Sequence, residues 1–186
     1  VARVAQGYLN QLADTPSAPS DVLLEAADGF ARIADLQAGR SRASLGDPAG
    51  ALENLERADQ IAARLQQADP ANQGTLALRA RVAIHHAAIA MNSRQELDRA
   101  TDLLAQAGKY IAAIPAQSRA AKLLTIQYEM ESAILGNWKG SYAESQSHAR
   151  KGIAIAEALP PDPADAREAQ YLLARIYDAL AEAVYY

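Results

Sequence analysis

The chemically versatile side chains of this 186-residue chain begin with three histidines, two of them adjacent at His85-His86. Imidazole ligates metals and moves protons, but adjacent helical positions point about 100° apart, and chelation of one ion needs a spacing of three or four. The spacing predicts two partly buried, hydrogen-bonded imidazoles, with His148 alone on a later helix and facing solvent. Glu129 and Glu131 stand two apart and diverge on a helix, so they read as a solvated face rather than a paired acid and base. Gly39-Arg-Ser-Arg42 offers two guanidiniums near a helix end, where an anion could be held, although a plain turn with exposed arginines accounts for it. Trp138 is either an exposed anchor for a partner or a cover over the ends of two helices. No Gly-rich phosphate loop, Gly-x-Ser-x-Gly elbow or His-Glu-x-x-His helix occurs. The expectation is a chain with no catalytic, metal or cofactor site.

Composition narrows the scaffold that must carry these residues. There are 44 alanines against one Phe and one Trp, and Ala has the highest helix propensity of any residue, so an all-α fold with close helix approaches is expected. Charges of both signs interrupt the apolar residues everywhere, and no run approaches the roughly 20 needed to span a bilayer. The net charge of −4 gives no electrostatic footprint for nucleic acid or an anionic membrane. Absence of Cys excludes disulfides and thiolate metal sites, and a cytoplasmic location is the default. A start at Val1 and an end inside a running helical pattern read as a piece of a longer protein.

Helical periodicity divides the chain into about eight helices with short links. The leading helix covers Val1 to about Ala13, and the second opens near Ser20. The third begins at Asp47-Pro48, an N-cap followed by proline at the first helical position, and stops before Asp69-Pro70. The fourth, from about Gln73 to Met91, is apolar on most sides and so must be sandwiched between neighbours. Ser93 to Glu96 and Ser141 to Glu144 have capping-box spacing and mark the fifth and seventh helices. Gly136 is the expected stop of the sixth, and an eighth follows Pro160-Pro161-Asp162-Pro163.

Registered on their turns, the helical pairs repeat. Ala51, Leu55 and Ala58 align with Ala100, Leu104 and Ala107, then with Ser145, Ala149 and Gly152, at intervals of 49 and 45 residues. Between the first and third copies the match extends to Gly46 with Gly140 and to Ala80-Arg-Val82 with Ala174-Arg-Ile176. Such spacing puts small groups on one stripe where a second helix can approach closely. The reading is one domain over 1–186: a leading helix and linker (1–20), hairpins over 21–68, 72–114 and 116–160, and a final helix (163–186).

The Gly46-Asp47-x-x-x-Ala51 turn, with Leu55 and Ala58 beyond it and Gly39 seven residues before it, resembles the tetratricopeptide repeat family. Units here are longer than that family's, and the Trp and Tyr of its first helix are missing. Ala31 to Gly39 followed by Leu45 to Leu52 is similar to the repeat region that follows the kinase domain of some bacterial serine/threonine protein kinases. Related repeats also follow DNA-binding regulators and nucleotide cyclases. The resemblance implies a right-handed solenoid of antiparallel hairpins whose role is interaction rather than catalysis.

In such a solenoid the first helix of each pair lines the inner surface. That surface is expected to carry Ile33, Leu36 and Arg40; Val82, His85, Ile89 and Asn92; and Gln127, Met130, Ile134 and Asn137, as an apolar groove with polar anchors, unless the same residues bury against neighbouring helices. The expected function is a protein- or peptide-binding scaffold within a bacterial signalling protein, with no nucleic acid or membrane partner and with self-association open. A domain that senses a small molecule or peptide for an attached effector is the alternative, and an autonomous helical enzyme is the least supported.

Overall fold

The computed structural model describes residues 2–15, 17–38 and 44–186. Among them the regular elements are all helical: α1 (Ala2–Ala13), α2 (Ser20–Ala38), α3 (Pro48–Ala68), α4 (Gln73–Ile89), α5 (Leu97–Ala112), α6 (Arg119–Lys139), α7 (Tyr142–Glu157) and α8 (Ala166–Tyr185), with a π-helical turn, Ala90–Arg94, continuing α4. Helices α2, α4, α6 and α8 pack side by side in succession. Each of α3, α5 and α7 pairs with the helix before it and also touches the one after it. The chain is therefore a helical-repeat protein with a solenoid-like succession of hairpins.

The repeat is visible in the backbone of the three turns. Gly46, Gln95 and Gly140 occupy equivalent positions, and all three are left-handed, with φ of 68°, 54° and 72°. Asp47, Glu96 and Ser141 follow as N-caps. Their carbonyls accept from the N–H of Ala51, Ala100 and Ser145 at 3.1, 3.0 and 3.0 Å, and those residues open the buried stripes. In the first turn a polar network adds to this. Asp47 caps Gly50 N–H and accepts from Gln37, while the Gln37 carbonyl side chain accepts from the buried Asn54 amide at 2.7 Å.

Three local expectations are corrected. Gly136 lies inside α6, and the helix stops at Gly140, where the Ser141 N–H reaches the Gly136 carbonyl and the Gly140 N–H reaches that of Asn137. Gly136 serves another need: a Cβ there would stand 3.0 Å from the Ser145 backbone nitrogen on α7. The Ser93-to-Glu96 capping box does not open α5, because the π turn carries α4 through Arg94 and leaves Glu96 itself at the N-cap, its carboxylate beside Arg99. Ser141 is at the cap of α7, but its hydroxyl makes no capping bond.

Apolar burial forms two clusters that meet at α4. One joins α2 and α3 with Leu78, Val82 and Ile89 of α4, and the other joins Leu76, Ala80, Ala83 and Ile84 of α4 with α5 to α8. The sandwiched position of α4 is why its apolar residues surround it.

Candidate functional site

An open groove of about 520 Å³ runs across the N-terminal halves of α2, α4 and α6 to the start of α8. Leu24, Ala77, Leu78, Leu123 and Leu124 make its floor, because these positions on successive helices are spaced to point into the same concavity. Its rim is charged. Asp21, Glu25, Asp28 and Glu168 supply carboxylates, and Arg32 and Arg81 supply guanidiniums.

The rim is held across helices. Arg81 of α4 and Arg32 of α2 both pair with Asp28. Burial pushes the Asp28 carboxyl up, but the two guanidiniums, Arg81 foremost, outweigh it and hold it below the usual carboxylate value. Gln127 of α6 donates to Glu168 of α8 at 2.8 Å, while its own side-chain carbonyl is buried without a hydrogen-bond partner. With Asp28 neutralised by its arginines, Asp21, Glu25 and Glu168 leave the rim acidic. An apolar floor between carboxylates suits a segment that carries apolar side chains and cationic ones together.

Most residues expected to line the inner groove lie elsewhere. Val82 and Ile89 are buried with α2 and α3, Met130 and Ile134 are buried in the larger cluster, and Ile33 is buried on α2. At these five positions the expected apolar lining is corrected: Ile33, Val82, Ile89, Met130 and Ile134 are core rather than open surface. Asn137 is also buried, donating to the Ala179 carbonyl at 2.9 Å and to Glu182 at 3.1 Å on α8. Leu36 and Asn92 are exposed, with Asn92 bonded to its own helix through the Ala88 carbonyl. Gln127 does line the groove. Arg40, and the Gly39-to-Arg42 anion turn with it, lie outside the described residues.

His85 and His86 are partly buried, as expected. Burial pushes the His85 imidazole down to about 4, opposed by Asp35 and reinforced by Arg81 and His86. His86 is lowered in the same way, and its Nε2 is buried without a hydrogen-bond partner, contrary to the bonded imidazole expected. The reading of Glu129 and Glu131 as a solvated face is overturned, since both are buried. His148 is not solvent-facing either. Its Nδ1 lies 2.5 Å from Glu129 Oε2, and Tyr128 meets its ring edge-on. Periodicity missed this pair because the two residues are on different helices. Trp138, in the last turn of α6, is exposed.

No group of three or more metal-ligating side chains assembles among the described residues. No described helix is long and apolar enough to cross a membrane. Comparison of the chain with protein-family models, with curated proteins and with solved structures returned no match.

Proposed function

We propose that this chain is a protein-interaction module of the tetratricopeptide kind, a right-handed solenoid that takes an apolar, cationic segment of a protein partner in its inner groove. The carrying observation is the 520 Å³ groove, apolar at its floor and acidic at its rim, built from four successive helices. Its span across separate repeats suits an extended or helical segment, the recognition mode in which apolar anchors enter a groove and charges flank them. The likeness of residues 31–52 to the repeats behind bacterial serine/threonine kinase domains supports a signalling protein as host. On this reading the chain is a binder and not an enzyme.

The test is selection from a displayed random-peptide library against the purified chain, counter-selected on a Leu123→Glu variant. Leu123 is only partly buried, so the variant keeps its fold, checked by circular dichroism. Enrichment of peptides with apolar residues beside Lys or Arg, lost on the variant, supports the reading. Peptides that bind both proteins equally, or no enrichment, would sink it. A small-molecule library that raises the melting temperature while peptides do not would favour the sensing role instead.

A further inference from the structure

The free carboxylates of the groove stand at its two ends. Asp21 is in the first turn of α2 and Glu25 one turn later; both are exposed, and neither enters an ion pair among the described residues. Glu168, in the first turn of α8, is exposed and accepts from the Gln127 amide, a neutral donor that leaves its charge in place. Between these ends the lining is apolar, with Leu24, Ala77 and Leu123. Asp28 is already held by Arg32 and Arg81, which stand farther along α2 and α4. A cation is therefore drawn to the first turns of α2 and repelled farther along.

The distance between the two ends limits what can bridge them. Helices α4 and α6 lie between α2 and α8. Packed helices are about 8–10 Å apart, which puts the ends up to about 24–30 Å from each other across the floor. An extended chain covers that span in about seven to nine residues, and an α-helix in about 16–20. A helix with its side chains is also about 10–12 Å thick, whereas the whole groove is open and holds about 520 Å³. Such a volume accepts a row of side chains rather than the body of a helix of that length.

We propose, building on the groove reading above, that the occupant is an extended segment of a protein partner with apolar side chains at alternate positions and one Lys or Arg at each end, the two cations about seven to nine residues apart. One cation lies over Asp21 and Glu25, and the other meets Glu168. The alternate apolar side chains enter the floor, and those between them face water. A segment whose cations are closer together leaves one end of the groove unmet.

Fluorescence anisotropy with synthetic peptides tests this. Each peptide has blocked termini and a Lys at either end of a Leu-Ser spacer, made in a series of lengths and in two patterns, strictly alternating and heptad. The alternating series should bind tightest near a separation of about eight residues, and the heptad series should bind more weakly throughout. The best peptide should weaken by about two- to fivefold on the double variant Asp21→Asn with Glu25→Gln, and by about as much on Glu168→Gln. Circular dichroism confirms the fold at these exposed positions. Replacing one peptide Lys by Ala should cost nothing further on one variant and the full amount on the other, and the opposite Lys should show the reverse. Tighter binding of the heptad series overturns the proposal and leaves the groove reading in place. So does a single-Lys peptide that binds as well, or coupling of both lysines to the same carboxylates. Failure of every synthetic peptide, while the random library still yields binders that depend on Leu123, does the same. Failure of both sets of peptides sinks the groove reading as well.

Discussion

Left-handed backbone recurs at one position of each repeat, but only two of the three residues there are glycine. Gln95 holds φ of 54° where Gly46 and Gly140 hold 68° and 72°. A side chain in that region crowds the following carbonyl, at about 1–2 kcal/mol, and part of this returns as lower unfolded-chain entropy. Gln95→Gly is therefore expected to stabilise the chain by about 0.5–1 kcal/mol, and Gly46→Ala to destabilise it by a similar amount. Urea titration of both variants checks the opposite signs; a loss of stability in Gln95→Gly would mean that its side chain does more than occupy the turn. The Gly46 to Gly140 match was legible in the sequence, whereas the glutamine was not, because it carries no turn signature.

At the scale of the helices, small residues set the distance between members of each hairpin. Gly136 on α6 faces the Ser145 backbone so closely that an added methyl has no flexible side chain to displace. Gly136→Ala should raise helix propensity by about 1 kcal/mol and still lose stability overall, by about 1–3 kcal/mol. Ala107→Leu, at a position fully buried in the α5 stripe, should cost about the same by overpacking. Melting temperatures decide both, and an unchanged value for Ala107→Leu would refute the stripe. The alignment of Ala51, Ala100 and Ser145 revealed this packing directly. It did not separate Gly136 from a helix stop, since a glycine that ends a helix and one that admits a neighbouring helix have the same local sequence.

Across the whole molecule, burial of α4 couples stability to pH. His85 has its imidazole pushed down to about 4 from 6.5, so between those values the unfolded chain binds a proton that the native chain does not. Stability is then lost as pH falls through that window, by about 1–3 kcal/mol for this partly buried group. Urea midpoints between pH 7 and pH 4 should fall less steeply in His85→Gln; identical slopes would show that other groups carry the dependence. The two clusters that meet at α4 also separate fold from binding. Ile89→Glu puts a carboxylate into the core and should abolish cooperative unfolding, while Leu123→Glu leaves the melting transition in place. A cooperative transition in Ile89→Glu would return that residue to the ligand surface.

Sequence alone determined the local and periodic features: the Asp47-Pro48 helix start, the small-residue stripes and the apolar surround of α4, all set by propensity, capping and a 3.6-residue period. Those constraints act within a helix and its turn. Which part of the expected inner surface opens was decided only in the tertiary structure, because Val82, Ile89, Met130 and Ile134 are buried in the two clusters and Asn137 against α8, leaving Leu24, Leu123 and Gln127 to line the groove. The same is true of Glu129 with His148 and of Arg81 with Asp28, pairs that join separate helices and leave no mark on the period of either.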